Sequence, residues 1–165
     1  MHLTSMIMSM VEGTQVSVER LLKFWRPRKM DNVIMSSRDL DIAARTVAGE
    51  ARGEKNRVQA MKAVAHVIIN RSIHGGWWGN SISEVCHKPK QFSCWNENDP
   101  NRELITGLAK DSDIYRDAVT AVALAAVDDD PTNGATHYYA TWIDAPYWAK
   151  NMEETAKFGA HRFLK

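Results

Sequence analysis

One acidic side chain, Glu50, is the residue of this sequence best suited to proton-transfer chemistry. It lies in residues 43–54, a run of mostly small side chains that predicts a helix ending near Gly53. Small side chains let other groups approach a helix closely, so a carboxylate on this helix can lie at the floor of a cleft. Burial of that kind raises the pKa of a carboxyl group and makes it a usable proton donor. A solvated glutamate at a helix end is the competing interpretation of this run.

Aromatic rings and hydrogen-bonding side chains are concentrated in two further stretches, residues 77–95 and residues 138–148. Aromatic faces beside amides and hydroxyls suit sugar rings, whose axial faces are apolar and whose edges are polar. The adjacent Trp77 and Trp78 cannot easily both be buried, and we take Trp78 as the better ligand contact. Core packing is the ordinary explanation that competes for each ring. The candidate ligand-binding residues are Asn70, Trp78, Gln91, Phe92, Ser93, Trp95, His137, Tyr138, Tyr139 and Trp148.

Metal and thiol chemistry have weaker support in the sequence. Cys86 and Cys94 are eight positions apart, and either a disulfide or a pair of reduced thiols fits this spacing. The histidines and cysteines lack the spacing typical of a zinc site, so no metal or other cofactor is predicted. His137 and His161 suit either the site or structural hydrogen bonding, whereas His66, beside an apolar stripe, is interpreted as a packing histidine.

Three helices are predicted to position these groups. The first covers residues 38–52, with Ser36 or Ser37 as its N-cap. The second covers residues 56–71 and the third covers residues 113–127, each with apolar side chains at helical spacing. The short break between the first two helices favours an antiparallel hairpin.

The remaining segments are predicted to be loops and a small sheet. Residues 74–100 lack periodicity and are interpreted as a long loop, a feature that is often functional in compact domains. The acidic run at residues 128–130 is interpreted as the solvated end of the third helix. The turn signal Asn133-Gly134 precedes a β-like run at residues 137–140. We therefore predict a mainly helical α+β domain with a small β-hairpin or sheet.

Length and charge set the domain organisation and the classes of partner. The chain of 165 residues suits one domain, at residues 36–165, preceded by an extension at residues 1–35. The net charge of +1 gives no reason to predict nucleic acid binding. No apolar run approaches the roughly 20 residues that span a bilayer, and the Met-rich start lacks the pattern of a secretory signal. The basic extension is either a tail or docked helix, or a weak contact with an anionic membrane or lipopolysaccharide.

Four motifs follow one another along the chain between about residues 38 and 164. The first combines AGEARGE at residues 48–54 with VAHVIINR at residues 64–71, and the second is KQFSCW at residues 90–95. The third combines THYY at residues 136–139 with PYWA at residues 146–149, and the last is GAHRF at residues 159–163. In this order the motifs resemble those of the SleB-type cell wall hydrolase family, which includes the spore-cortex-lytic enzymes.

The resemblance implies a lysozyme-like, mainly helical domain that cleaves the glycan strand of peptidoglycan, and we expect it to act as a monomer. Glu50 matches the catalytic glutamate of the family. The implied reaction is lytic transglycosylation, in which Glu50 protonates the oxygen that leaves N-acetylmuramic acid and then deprotonates the muramic 6-hydroxyl. The product is a 1,6-anhydro sugar. His137, Tyr138 and Tyr139 are expected to stabilise the oxocarbenium ion or orient the N-acetyl group.

Three further kinds of chemistry stay open at this point. A hydrolase would need a second carboxylate, for which Glu84, Glu97 and Asp99 are candidates, whereas Glu54 is expected to face solvent. A zinc-dependent amidase and a cysteine peptidase remain possible enzyme classes, and a non-catalytic peptidoglycan-binding module would also explain the aromatic stretches. The lack of a visible export signal favours a phage or prophage endolysin, which passes from the host cytoplasm to the periplasm and cell wall through a holin pore.

Overall fold

The structure, a computed structural model, describes residues 35–165. The predictions about the basic extension fall almost wholly outside these residues. The helices are α1 (Ser37–Ala51), α2 (Arg57–His74), α3 (Ile82–His87), α4 (Asn101–Thr106) and α5 (Asp113–Val127). The strands are β1 (His137–Ala140), β2 (Glu154–Phe158) and β3 (His161–Leu164), and short 3-10 turns lie at Gly76–Trp78, Ser93–Trp95 and Tyr147–Asn151. The prediction of a mainly helical α+β domain is confirmed.

Helix α1 begins with a capping box that the sequence makes possible. The Ser36 hydroxyl accepts the backbone N–H of Asp39 at 3.1 Å, and the Asp39 carboxylate accepts the N–H of Ser36 at 3.3 Å. These reciprocal bonds satisfy backbone donors that a helix start otherwise leaves open. Further along, Ala44, Val47 and Ala48 are fully buried. The helix is therefore fixed at its start and packed along one side, which positions its last turn.

Helix α2 forms the centre of the domain. Its residues from Ala60 to Arg71 are buried with the exception of Lys62, so the helix is buried on nearly all of its sides. A helix of this kind is typical of a core element rather than a surface one. It packs against both α1 and α5. Ser112 is the N-cap of α5, and its hydroxyl accepts the N–H of Tyr115 at 3.2 Å.

The sheet is antiparallel, with the strand order β1-β3-β2. In its register Tyr138 lies opposite Phe163, and Ala140 lies opposite His161. Phe163 is fully buried in the main core, so the central strand attaches the sheet to the helices. The predicted turn before β1 is confirmed, because Asn133 and Gly134 both adopt positive φ angles, of 54° and 86°.

Two predictions about segments outside the long helices were wrong. Residues 74–100 are not one long loop, because α3 and two 3-10 turns lie within them. Helices of six residues are too short for helical periodicity to reveal. The acidic run is not a solvated helix end throughout: Asp128 and Asp129 are exposed, but Asp130 is buried. No helix of residues 35–165 combines the length and the apolar character needed to cross a bilayer.

Candidate active site

Glu50 lies in the last turn of α1, where the 3-10 turn Ser93–Trp95 approaches the helix closely. The preceding residue, Gly49, makes this approach possible. A Cβ atom at Gly49 would lie 2.8 Å from the Cβ and 2.9 Å from the sulfur of Cys94. No side chain fits at these distances, so the glycine of the AGEARGE motif sets the spacing between the helix and the wall of the site.

The Glu50 carboxyl group is bound by a tyrosine from the sheet. The Tyr138 hydroxyl donates a hydrogen bond of 2.7 Å to Oε2 of Glu50, across 88 positions of sequence. The ring of Tyr138 packs on Phe163 with 5.7 Å between ring centroids. The sheet register therefore fixes the direction in which the hydroxyl points. Burial and the neighbouring Glu50 charge raise the pKa of Tyr138 well above its ordinary value, so the hydroxyl stays a donor.

Burial raises the pKa of Glu50 above its ordinary value of 4.5. The hydrogen bonds from Tyr138 and from the Cys94 thiol act in the opposite direction, because both favour the ionised form. The nearby negative charge of Asp99 adds to the increase, and the positive charge of Arg71 opposes it. Glu50 is thus a carboxyl group that keeps its proton to higher pH than a solvated glutamate, as a general acid requires.

Arg71, at the end of the buried part of α2, is a member of the site that the sequence analysis did not single out. It is 6% exposed, and its guanidinium donates to the carbonyl oxygen of Thr136 at 2.8 Å and to Oε1 of Gln91 at 3.2 Å. Its guanidinium carbon lies 4.6 Å from the Trp78 ring centroid. The sequence did contain a signal for Arg71, which follows the apolar run of the second predicted helix. A buried charge needs hydrogen-bond or ionic partners, so such a residue is a candidate for a site.

A row of aromatic rings extends over the sheet edge, and we call Trp77, Trp78, His137, Trp148 and Tyr139 the aromatic row. Successive ring centroids lie 4.7, 5.1, 5.2 and 6.0 Å apart. Trp77 is 67% exposed and Trp148 is 43% exposed, so both side chains are accessible to a ligand. Burial and the nearby Arg71 lower the pKa of His137, which therefore contributes a neutral ring to the row.

Six of the predicted ligand-binding residues are brought together in this region. They belong either to the aromatic row or to the groups that support it. Gln91 supports the row by donating from its amide to the carbonyl oxygen of Trp78 at 3.0 Å. The six residues are Trp78, Gln91, His137, Tyr138, Tyr139 and Trp148.

The remaining four predicted residues have different surroundings. Phe92 is 1% exposed and packs in the core beneath Arg71, so its expected contact with a ligand is corrected to a packing role. Asn70 is buried, and its amide donates to Oδ2 of Asp130 and to the carbonyl oxygen of Ala135, both at 2.9 Å. Its expected role is likewise corrected, because both bonds hold the loop before β1.

The last two of these residues lie on the wall next to α1. The Trp95 indole N–H donates to Oγ1 of Thr46 at 2.9 Å, and its ring lies against His87. Ser93 is exposed, and its hydroxyl hydrogen-bonds Asp99. Neither residue belongs to the aromatic row.

The position of Glu54 also differs from the prediction. Its side chain is 16% exposed, and its carboxylate accepts the backbone N–H of Ala160 in the turn between β2 and β3. It does not face solvent, because the turn folds over it. His66 is buried with Nδ1 at 3.6 Å from Oδ1 of Asp130, which confirms its interpretation as a packing histidine.

Both cysteines are buried and unbonded to each other. Burial raises the pKa of the Cys86 thiol to about 12 and raises the pKa of the Cys94 thiol further. A thiolate nucleophile needs the opposite shift, so this environment disfavours cysteine peptidase chemistry. Within residues 35–165, no three His, Cys, Asp or Glu side chains are grouped so that they could hold a metal ion.

A polar cavity of about 540 Å³ opens beside the turn Ser93–Trp95, and Asp99 is part of its lining. The backbone N–H of Asn101 donates to Oδ1 of Asp99 at 2.8 Å, and this hydrogen bond is the main cause that lowers the pKa of Asp99. Asp99 is therefore an ionised carboxylate whose field reaches Glu50. The lining residues are Glu97, Asn98, Asp99, Pro100, Arg102, Glu103 and Thr106.

Comparison with solved structures finds the same fold in two bacterial catalytic domains. The chain matches the catalytic domain of the Bacillus cereus SleB protein with a TM-score of 0.62 and 28% identity, over 79% of this chain and 92% of that one. It matches the catalytic domain of the germination-specific lytic transglycosylase SleB from Bacillus anthracis with a TM-score of 0.61 and 28% identity, over 79% of this chain and 96% of that one. The prediction of a lysozyme-like fold is confirmed by these matches.

Sequence comparison gives the same result. Spore cortex-lytic enzymes of Bacillus cereus and Halalkalibacterium halodurans are each 28% identical, over 134 and 132 residues. The alignments cover 79% and 78% of this chain but 45% and 35% of the relatives, so the chain spans less than half the length of these relatives. The model of the family described as Cell Wall Hydrolase matches residues 55–164. This chain belongs to the cell wall hydrolase family.

Proposed function

We propose that this protein cleaves the glycan strand of peptidoglycan between N-acetylmuramic acid and N-acetylglucosamine as a lytic transglycosylase, with Glu50 as the general acid and base. One observation carries the proposal: Glu50 is a half-buried residue whose carboxyl group has a raised pKa and is held by the Tyr138 hydroxyl in a region rich in aromatic rings. The relative of known structure from Bacillus anthracis, which is named a lytic transglycosylase, supports the same reaction.

The reaction needs one carboxyl group because the substrate supplies its own nucleophile. Protonated Glu50 donates its proton to the glycosidic oxygen, and the bond from that oxygen to the anomeric carbon of muramic acid breaks. The Glu50 carboxylate then accepts the proton of the muramic 6-hydroxyl as the 6-oxygen bonds to the anomeric carbon. The sugar leaves as a 1,6-anhydro product, and Glu50 ends protonated without consuming water.

Tyr138 orients the acid and supports its ionised form. Its hydroxyl donates to Oε2, and the proposed proton transfer therefore uses Oε1. Once Glu50 has given up its proton, this hydrogen bond becomes charge-assisted and therefore stronger. The same contact thus holds the side chain before the transfer and stabilises the carboxylate after it.

The aromatic row is proposed to bind the glycan next to the cleavage point. Exposed indole faces stack on the apolar faces of sugar rings, and the neutral His137 ring adds a surface without charge. The row runs from the strand that carries Tyr138 to the exposed Trp77. A linear polymer suits this arrangement better than a compact ligand.

The test compares Glu50→Gln with a surface control, Glu153→Gln, on purified peptidoglycan. Glu153 is exposed, so its replacement changes charge in the same way without touching the site. We expect Glu50→Gln to lose about 10²–10⁴-fold of the activity and the control to keep it. Mass spectrometry of the wild-type products should find 1,6-anhydromuramic ends. Full activity of Glu50→Gln, or products without anhydro ends, would refute the proposal.

A glycan hydrolase is the second candidate, because Asp99 is an ionised carboxylate near Glu50. Such an enzyme would use Asp99 as nucleophile or to activate water, and would release reducing ends. Asp99→Asn separates the two reactions. Transglycosylation predicts an active variant that still forms anhydro ends, whereas hydrolysis predicts an inactive one.

A zinc amidase and a peptidoglycan-binding module each have a simple biochemical test. A zinc amidase would stop in a strong chelator and would free peptides from the glycan. A binding module would retain peptidoglycan without releasing soluble fragments. We expect chelator-resistant release of anhydro-ended glycan fragments. The endolysin role stays a prediction, to be tested by expression in host cells with and without a pore-forming partner.

A further inference from the structure

The Glu54 carboxylate, four positions after Glu50, has an environment built for it by the turn between β2 and β3. Both of its oxygens lie 3.3 Å from the backbone nitrogen of Ala160. Gly159 in the same turn has φ of +54°, and a Cβ atom there would lie 2.4 Å from Oε2 of Glu54. The first and last sequence motifs thus meet at this carboxylate, which the proposed reaction does not use.

His161, the next residue after Ala160, faces the same carboxylate. It is 8% exposed, and its Nδ1 lies 3.6 Å from Oε1 of Glu54. Among the described residues this nitrogen has no hydrogen-bond partner, and the Glu54 carboxylate is an acceptor that faces it. Burial lowers the pKa of His161, with Glu54 opposing, which keeps the ring neutral. A carboxylate facing Nδ1 favours the tautomer that carries its proton there.

The His161 ring also contacts Tyr138. The two ring centroids lie 5.4 Å apart at an angle of 84°, an edge-to-face contact. Within residues 35–165, the titratable groups in contact with His161 are Tyr138 of β1 and Glu54 of the segment after α1. Arg162, the next residue of β3, donates to Glu154 of β2 at 2.8 Å and is engaged there. One line of contacts therefore runs from Glu54 through His161 and Tyr138 to Glu50.

We propose that Glu54 and His161 are positioning residues that act through Tyr138 to hold the Glu50 carboxyl group in its reactive orientation. This inference rests on the proposed function. The Glu54 carboxylate fixes the His161 ring by its Nδ1 side, and the ring limits the movement of Tyr138. Loosening either residue weakens the hydrogen bond from Tyr138 to Glu50.

The test uses two replacements of His161 that differ in where they place an amide donor. His161→Asn sets its side-chain nitrogen near the position of Nδ1, whereas His161→Gln sets it near Nε2. Both remove the ring, so the difference between them isolates the contact with Glu54. Both variants lose the ring that contacts Tyr138, so we expect both to lower kcat on soluble glycan fragments with KM unchanged. We expect a loss of about ten-fold for His161→Gln and a smaller loss for His161→Asn, which keeps a donor toward Glu54.

The pH profile gives a readout that general destabilisation would not move. The Tyr138 hydrogen bond holds the pKa of Glu50 down, so a looser Tyr138 lets that pKa increase. The fall of kcat at alkaline pH should therefore begin at a higher pH in His161→Gln and in Glu54→Gln, as in Tyr138→Phe. In a Tyr138→Phe background, neither replacement should add a further shift or a further loss of kcat.

Two results would overturn the inference. One is equal activity of His161→Asn and His161→Gln, and the second is full additivity with Tyr138→Phe. If the His161 variants do not fold, Glu54→Gln takes their place in the combination with Tyr138→Phe. This variant keeps an acceptor oxygen for the Ala160 N–H. Failure of the proposed function is recognised separately, because the wild type would then give no anhydro ends and Glu50→Gln would stay active.

Discussion

Two acidic side chains in buried surroundings, Glu50 and Asp130, have opposite titration behaviour. Asp130 accepts hydrogen bonds from the backbone N–H and the hydroxyl of Thr132, from the Gly134 N–H and from the Asn70 amide, at 2.6–2.9 Å. These donors lower its pKa although burial acts in the other direction. Glu50 accepts from one hydroxyl and one thiol, and burial raises its pKa.

The supply of donors, rather than burial alone, decides what each carboxyl group can do. A carboxylate surrounded by donors stays ionised and fixes the structure, here the loop that leads into β1. A carboxyl group with few donors retains its proton and can give it to a substrate. Of these two carboxyl groups, only Glu50 has the environment of a general acid.

Replacing Glu50 by glutamine should have the largest effect on activity and the opposite effect on stability. Because burial raises the pKa of Glu50, its carboxyl group costs stability as the pH rises above its ordinary value of 4.5, and this cost is complete above the folded-state pKa. We therefore expect Glu50→Gln to unfold at a higher temperature than the wild type at pH 7, while losing about 10²–10⁴-fold of its activity. Thermal unfolding at pH 7 and pH 4 checks this, because the advantage should shrink at the lower pH. A less stable variant at pH 7 would contradict it.

Replacing Asp130 by asparagine should give the reverse pattern. The NH2 group of the new amide would face the N–H and O–H donors that now bond to the Asp130 carboxylate. The loop before β1 would therefore lose hydrogen bonds that hold it. We expect the free energy of unfolding to fall by about 2–4 kcal/mol, as measured by denaturant titration. Asp129→Asn is the matched control, since Asp129 is exposed in the same run and its replacement should change little. Equal losses of stability in Asp130→Asn and Asp129→Asn would contradict the anchoring role of Asp130.

Replacing Tyr138 by phenylalanine should have an intermediate effect and refine the account of Glu50. The loss of its hydrogen bond removes a contact that favours the ionised carboxylate, so the pKa of Glu50 should increase further. We expect kcat to fall about ten-fold and the alkaline limb of the kcat profile to move to higher pH. The pH dependence of kcat on soluble glycan fragments measures both. A limb that moves to lower pH would be inconsistent with this assignment.

The pH dependence of stability should give the smallest of these effects. The pKa of Asp130 is lowered from 3.8, so its stabilising contribution is complete above that value and is lost as the pH falls through the lowered one. The stability difference between wild type and Asp130→Asn should therefore shrink below about pH 4. Unfolding curves across pH 2–6 test this, and a difference that is constant over the whole range would contradict it.

The long elements could be predicted from sequence because their signals are local. Helix α5 begins and ends at the predicted residues, and Ser36 caps α1, since periodicity and capping act within a few positions. Strand β1 and the turn at Asn133-Gly134 were found in the same way. The two six-residue helices, α3 and α4, were missed because each spans less than two helical turns.

The partners of the site residues depended on contacts that the sequence does not encode locally. Tyr138 meets Glu50 across 88 positions, and Ala160 meets Glu54 across 106 positions. The resemblance identified Glu50 and Tyr138 as members of a site, but the burial of Glu54 and Asp130 follows only from the fold. Glu54, expected in solvent, is an anchor because a distant turn supplies its backbone donor. Asp130 is an anchor because Thr132 and Gly134, just after it in the chain, and Asn70 of α2 supply its donors.

The most direct test of this account is a titration of the Glu50 and Asp130 carboxyl carbons by NMR in one sample of the wild-type protein. The account predicts a pKa above 4.5 for Glu50 and below 3.8 for Asp130. A Glu50 carboxyl group that titrates at or below 4.5 would contradict its role as a general acid held protonated by burial.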